Sequence, residues 1–567
     1  MSPATLARLA FAGSRTDLVR AALTAFAAML AGLAVLAVGV VLNMAPTTTM
    51  LTDSDGIQQV YRTSYRYTSD LLNEPGLRPG LIAMVAALLV PALFLIAQAA
   101  RLGGPARDRR LAALRIGGAT PRQARWIAGA EQGFAVAAGA ALAALLYPAL
   151  HGLLDRMTTD QRYLVGEAFV DGKPRPPVAF YAGPWRPLPT DTAPAWWVWV
   201  LLAALPVLAA LVSVYALRTV IAEPVAVTRR ARRTRARLWP AWLLVAGLAG
   251  LGASRAWATA IVAGTADGQV PQLLLPRVGM GTSLAALAVA VPFCAAAIGY
   301  LSARLVGRYA RRPTTLVAAR RVLADPYSGS RALSVLLVAA MMVAIVVGVQ
   351  SQFAYANEVG AVYGTRFGDE QLSRTVFGLL DGLIQVFLWI GAIGLLVALA
   401  DRALSRRRTD AAALAVGVPH RTLVKASVGT VLLTAVPGVL LGLAVGTAIP
   451  YLALDPVQRP QSVTYACFKQ PTSSGAEPTE IPCTAEGLRV YLAQQACFNG
   501  GEANCPTGSY DGVRAEPHGP WHSTLPAVEW LALIRYAGLA LLAVALATAL
   551  SLAIGRHGVD ETQLRTT

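Results

Sequence analysis

The chain carries 567 residues, 55% of them hydrophobic and only 14% charged, with a formal net charge of +18. So few charged side chains cannot solvate a globular surface of this size, which excludes a soluble enzyme or a soluble nucleic-acid-binding protein and points to an integral membrane protein.

A helix needs about 20 mainly apolar residues to cross the hydrocarbon layer. Ten stretches meet this requirement, at 21–44, 80–100, 127–150, 195–217, 238–254, 279–303, 332–350, 376–400, 423–454 and 528–554. The fifth is short because Arg255 closes it early. Arg8, Arg15 and Arg20 precede the first run in the manner of a signal peptide, but that run is too long for one and lacks a small-residue cleavage site, so it is expected to stay as a span. Basic amphipathic segments at 6–20 and 316–331 lead into spans one and seven and are expected to lie as helices on the inner membrane surface. After each comes the same order: a span, an outward loop, a span, a basic connector, a span, a longer outward loop and a final span. The expected fold is therefore all-α, with ten transmembrane helices. Residues 1–218 form a first four-helix module and 219–312 an arginine-rich linker with a central hairpin. Residues 313–567 form a second module whose outward loop, 455–526, is a small disulfide-containing domain.

Charge distribution orients these spans. The connectors after spans two, four and six each carry seven arginines, and the one after span eight carries Arg402, Arg406, Arg407, Arg408 and Arg421. Those four connectors hold only five acids, whereas the five alternate connectors hold 16 basic and 20 acidic residues. The positive-inside rule places the even-numbered connectors and both termini in the cytoplasm, giving a multi-pass protein of the plasma membrane. The run Arg229, Arg230, Arg232, Arg233, Arg235, Arg237 then reads as a topology signal near anionic headgroups, and no nucleic acid is expected as a partner. Trp196, Trp197, Trp199, Trp521 and Trp530 fall where an outer aromatic belt is expected.

Four of the five cysteines, Cys467, Cys483, Cys497 and Cys505, lie in the longest outward loop, which suits two disulfides in an oxidising space. Three pairings are possible, and Cys467 with Cys483 and Cys497 with Cys505 is favoured because both close short loops. Their spacing does not match the ligand pattern of structural zinc, so no metal site is expected, although His518 and His522 are near. Cys294, inside span six, reads as a packing residue.

Neither a P-loop, a His-Glu-x-x-His helix nor a Gly-x-Ser-x-Gly elbow is present, and the chain has only three lysines, Lys173, Lys425 and Lys469. No catalytic residues are expected, nor any cofactor bound by this chain. Polar residues inside spans are costly in lipid and so are candidates for function: Glu131, Asp381, Gln385, Glu529 and Arg535. Asp381 and Gln385 share a helix face that can line an interior seam, and Glu131 is within reach of a connector arginine. Gly438, Gly442 and Gly446 in span nine, and Ala135, Gly139 and Ala143 in span three, recur at four-residue steps that let helices approach closely. This serves either packing within the bundle or packing of one module's third span against the other's.

The connectors themselves repeat. Residues 107–123 read RDRRLAALRIGGATPRQ and 406–422 read RRRTDAAALAVGVPHRT, with an Ala-Ala-Leu triplet at 112–114 and at 412–414 followed by Gly117 and Gly417. The segment Leu114-Arg115-Ile116-Gly117-Gly118-Ala119-Thr120-Pro121-Arg122-Gln123, with Glu131 entering the next span, resembles the FtsX-like permease domain of ABC transporters. In the second copy Leu414, Gly417 and Arg421 fit, Ala415 replaces the arginine, one residue is missing and Thr430 stands where the glutamate would be; Leu323-Ala324-Asp325-Pro326 also resembles the start of such a module.

The resemblance implies a permease subunit of the macrolide-exporter-like class, working with a separate ATP-binding subunit, two copies of it per permease, that holds ATP and Mg. It implies that the connectors contact that subunit through Arg107, Arg109, Arg110, Arg115, Gly117, Gly118 and Gln123 in the first copy. In the second copy the matching residues are Arg406, Arg407, Arg408, Gly417 and Arg421. The substrate implied is amphipathic or lipid-like, exported or extracted from the membrane, with membrane lipid as a further partner. Alternatives are a mechanical transmitter regulating an extracellular cell-wall enzyme, a sensor of peptide antibiotics, and an ion-coupled secondary carrier.

Overall fold

A computed structural model describes residues 15–44, 48–52, 58–62, 67, 72, 78–100, 116, 118, 120–156, 169–170, 173–174, 189–216, 239–264, 274–362, 370–454, 456–469, 479–499, 512–524, 526 and 528–555. Among them nine helices are long and apolar enough to cross a membrane, and the chain is a helical membrane protein. In lipid the helix is the natural solution, because it satisfies each backbone polar group within its own segment. The spanning helices are α1 (Arg15–Asn43), α2 (Arg78–Ala87) continued by α3 (Leu89–Ala99), α4 (Pro121–Asp155), α5 (Trp196–Ala216), α6 (Trp239–Gly264) and α7 (Leu274–Tyr309). Two short helices follow, α8 (Pro313–Ala324) and α9 (Pro326–Ala332), then α10 (Ser334–Val362), α11 (Glu370–Ala415) and α12 (His420–Ala453). The break between α2 and α3 precedes Pro91, which has no N–H to offer the turn before it. A last apolar helix, α14 (Trp530–Gly555), has 26 residues.

Three boundaries differ from the sequence expectation. Helix α6 does not stop at Arg255 but runs on to Gly264, because the Arg255 guanidinium donates a hydrogen bond to the Tyr451 carbonyl of α12 at 3.4 Å. Segment 316–331 is two helices rather than one, since Pro326 ends α8 at Ala324. Helix α11 does not end with the eighth span: its apolar part stops at Ala398, yet the helix continues to Ala415, reaching about 25 Å further at 1.5 Å per residue.

The packing order is repeated. Helix α1 packs on α3, α4 and, through α4, on α5; α10 packs on α11, α12 and, through α12, on α14. Small residues set both close approaches. A Cβ on Gly139 would meet Ala25 and Ala28 of α1, and one on Gly442 would lie 2.9 Å from the Leu337 carbonyl of α10. The glycine steps thus serve packing of the third on the first helix of each group, and not of α4 on α12. Between the groups, α6 and α7 pack against α12, while α3 touches α10 and α11. Ala27, Leu95, Val335 and Ile390 form the small core where α1, α3, α10 and α11 meet. The main core gathers around α10, whose apolar stretch is 83% buried, against 11% for α5.

Successive contacts fix direction. Arg20 lies by Glu131 and Ala28 by Gly139, and Leu337 lies by Gly438 and Met341 by Gly446, so α1 runs parallel to α4 and α10 to α12. The end of α3, the starts of α1, α4, α10 and α12 and the extension of α11 therefore share one end of the bundle, here the connector end.

At the opposite, loop end the chain is not all helical. Strands β1 (Thr48–Thr52) and β2 (Gln58–Arg62) pair antiparallel, as do the two-residue strands β3 (Phe169–Val170) and β4 (Lys173–Pro174). The loop between α12 and α14 builds a three-stranded sheet, β6–β5–β7, from β5 (Val457–Lys469), β6 (Thr479–Ile481) and β7 (Gly512–Thr524), with helix α13 (Ala485–Asn499) between β6 and β7. Cys467 on β5 is bonded to Cys483 just beyond β6, the expected local pair. Cys497 lies on α13, its side chain outside the described residues, as is Cys505 altogether. The β5–β7 ribbon is rooted on the helices: Tyr355 of α10 donates to Thr524 Oγ1 at 3.1 Å, and Tyr451 of α12 donates to the Pro526 carbonyl at 3.0 Å.

The Gly442 contact is testable. Gly442→Val forces a side chain into the α10 backbone and should cost about 1–3 kcal/mol, read as a lower melting temperature in detergent. Gly382→Val, where nothing lies within 4 Å, should change stability by no more than about 0.5 kcal/mol.

Candidate coupling site

Two glycines among the described residues have positive φ, Gly118 at +93° and Gly417 at +90°, and each lies in one of the repeated connectors. Neither has a neighbour within 4 Å of where a Cβ would stand, so the left-handed backbone and not lack of space calls for glycine. Gly417 follows the last residues of α11 and turns the chain into α12, the usual work of a left-handed glycine at a helix C-terminus. The conformation matches Gly118, rather than Gly117, to Gly417. The offset is 299 residues, the same that separates Gly139 from Gly438 in the packing faces. The second connector is therefore one residue shorter between its alanine-rich stretch and its turn.

The turns differ in how they open the next helix. In the first, Thr120 N–H donates to Gln123 Oε1 at 2.9 Å and Gln123 N–H donates to Thr120 Oγ1 at 3.3 Å, a reciprocal capping box with Pro121 as the first helical residue. Gln123, expected at a partner surface, also forms this cap. In the second turn Pro419 holds the cap position and no side chain caps α12.

Beside each turn stands an aliphatic side chain facing solvent. Ile116 is 89% exposed and Val416 is 85% exposed, the two most exposed large apolar side chains among the described residues. Both lie outside the apolar spans. Arg122 and Arg421, in the first turns of α4 and α12, are also exposed. Arg107, Arg109, Arg110, Arg115 and Gly117 lie outside the described residues, and for Arg406, Arg407 and Arg408 the backbone runs within α11 while the side chains lie outside them.

The intramembrane residues fall elsewhere. Glu131 has a partner on the first helix. Its carboxylate meets the Arg20 guanidinium of α1 at 2.9 Å, both side chains at least nine-tenths buried, because the parallel α1–α4 packing brings the two into register. Arg20 also lies 3.7 Å from Asp17. At the corresponding place in α12, Thr430 satisfies its hydroxyl within its own helix on the Ala426 carbonyl at 2.7 Å. Asp381 and Gln385 do not line an interior seam: both are exposed on the flank of α11, and Asp381 accepts a hydrogen bond from Gln350 of α10 at 2.9 Å. Glu529 and Arg535, at the start of α14, are exposed. Among the described residues no group of three His, Cys, Asp or Glu can hold a metal ion.

Two features escaped the sequence reading. Gln98, the one polar side chain in the run 80–100, is buried at 6% exposure and donates from Nε2 to the Ala332 carbonyl at 2.8 Å and the Gly394 carbonyl at 2.7 Å. It ties α3 to the start of α10 and to α11. Its isolation in an apolar run was the available signal. Ile116 and Val416 were visible as the aliphatics next to the connector glycines, although Leu114, Leu414 and Val418 lie close by. Comparison with models of known families, with curated proteins and with solved structures finds no match.

The Arg20–Glu131 pair should behave as a buried ion pair. Removing one partner in Glu131→Ala leaves a buried charge and should cost about 3–5 kcal/mol, measured as loss of thermal stability, while Arg20→Met with Glu131→Leu together should be far milder. The cap should matter less: Thr120→Ala should cost about 1 kcal/mol in the same measurement.

Proposed function

We propose that this chain is the permease subunit of an ATP-driven transporter of the FtsX-like kind. In this reading α1–α5 and α8–α14 are two modules of four spans, with α14 as the tenth span and the hairpin α6–α7 between them. A separate ATP-binding subunit, one copy per connector, holds ATP and Mg and docks at the connector end, which faces the cytoplasm across the plasma membrane with both termini on that side. The proposed cargo is amphipathic or lipid-like, exported or drawn from the outer leaflet.

The observation that carries this reading is the pair Ile116 and Val416. Each is a bare aliphatic knob beside a left-handed glycine, each precedes a spanning helix, and both stand at one end of the bundle. Apolar side chains held in water by a rigid turn are well suited to pockets on a partner. The arginines around them supply charge-assisted contacts to acidic partner surfaces. The continuous α11 supports coupling as well, since displacing its projecting end tilts the span directly, with no intervening hinge.

A second reading, mechanical control of a protein at the loop end, is favoured by the β5–β7 ribbon, because its roots on α10 and α12 would carry a tilt of those helices outward. An ion-coupled carrier is less well supported, since Asp381 and Gln385 face away from the packed interior.

Co-expression with a P-loop ATPase encoded beside this chain tests the docking. Ile116→Asp or Val416→Asp alone should weaken co-purification by roughly tenfold, as expected for a contact worth about 1.4 kcal/mol, and the double variant should abolish it together with transport-coupled ATP hydrolysis. Retention of the ATPase by the double variant would exclude these connectors as its docking site.

A further inference from the structure

A groove of about 510 Å³ lies at the connector end between α7, α8 and α12. Its floor is the close approach of α8 to α12, where a Cβ on Gly429 would lie 3.2 Å from Ala318 Cβ. Leu432, Val436 and Leu440 form one wall, at successive four-residue steps on a single face of α12. At the other end of the groove stand Lys425 and, in the first turn of α8, Thr314 and Thr315. No acidic side chain is among its lining residues.

Lys425 is one of only three lysines in the chain, and among the described residues it has no ion-pair or hydrogen-bond partner. Arg421 lies one turn before it on the same face of α12, and Arg312 immediately precedes α8; both are exposed. The groove therefore joins a cationic, hydroxyl-bearing head to an apolar trough on a membrane-spanning helix. From Lys425 to Leu440 the helix rises about 22 Å, which covers a headgroup and the roughly 15 Å depth of one leaflet's hydrocarbon.

We propose that this groove is a binding site for an anionic glycerophospholipid of the leaflet at the connector end. The phosphate would sit against Lys425 and the α8 threonines, and one acyl chain would lie along Leu432, Val436 and Leu440. Charge complementarity selects the occupant: a cationic head with no acid among the described lining residues favours a net-negative headgroup over a zwitterionic one, and the trough favours a tailed molecule over a free anion. A lipid seated there would wedge α8 against α12 and α7, and so would bear on the helix that begins at the second connector turn. The site does not depend on an ATPase docking at that turn.

The test uses the full-length chain in mild detergent, with bound lipid counted by native mass spectrometry after addition of phosphatidylglycerol or phosphatidylcholine, each with and without excess inorganic phosphate. Wild type should retain phosphatidylglycerol over phosphatidylcholine by about fivefold, the preference conferred by one lysine near a surface, and inorganic phosphate should not displace it. Lys425→Ala should erase the preference, and Val436→Trp, which fills the trough, should reduce retention of both lipids. Equal retention of the two lipids by wild type overturns the proposal without recourse to any variant. So does a preference that survives Lys425→Ala, or displacement of the lipid by inorganic phosphate, which would mark a simple anion site.

Discussion

The closest constraint in the molecule is the backbone approach between parallel helices at glycine. Where α4 meets α1 at Gly139 and α12 meets α10 at Gly442 and Gly446, side chains are absent so that main chains can touch. In lipid there is no hydrophobic driving force between helices, and such contacts supply van der Waals packing instead. Much else follows from them. The α1–α4 register puts Arg20 beside Glu131, allowing two charges to be buried as a pair. The α10–α12 register puts Pro450 against Gly348 and leads both helices to the root of the β5–β7 ribbon. Because each pair is parallel, the two connector turns that begin α4 and α12 emerge at one end.

The two groups of helices share a packing order but not a surrounding. Helices α6 and α7 lie against α12, and α3 lies against α10 and α11, so α10 is enclosed while α1 keeps one side open. The polar contacts follow the same inequality. The first group holds the buried ion pair and the capped turn at Thr120; the second has Thr430 bonded to its own helix and an uncapped turn at Pro419. Gln98 reaches from the first group into the second and satisfies two carbonyls there. Enclosure leaves α10 held mainly by shape, with Gln350 and Tyr355 making its polar contacts toward the loop end, while α4, packed chiefly between α1 and α5, has a buried charge pair as well as shape.

The apolar spans were legible because about twenty apolar residues in a row have few other physical meanings. The Cys467–Cys483 bond was legible from loop closure between near neighbours. What the sequence hid were features decided at long range. Arg255 looked like the end of a span because its acceptor, the Tyr451 carbonyl, is on another helix. The extension of α11 looked like a loose connector because its arginines carry no signal of helix continuity through lipid and beyond. The β5–β7 sheet was missed because its strands lie far apart in sequence and Pro460 interrupts one of them, so the pairing rests on the helices that hold both ends together. Gln123 has a local role that the sequence also offered: Thr120-Pro121-Arg122-Gln123 has the capping-box spacing.

These differences bear on how motion would pass through the bundle. A force at the first turn meets a capped helix anchored by a buried ion pair about three turns beyond, so α4 and α1 must move together. A force at the second turn acts on the end of α11, a single helix from Glu370 to Ala415, and on an uncapped α12 whose far end holds the ribbon. Helix α10 cannot yield easily, because it is surrounded, and it shares the ribbon root through Tyr355. Sliding α12 against a fixed α10 would break the glycine contacts; tilting both as a unit would keep them and swing the ribbon. The close packing that makes the second group stable thus leaves rigid-body tilt as its least costly displacement, with the largest excursion at the end of the stapled sheet.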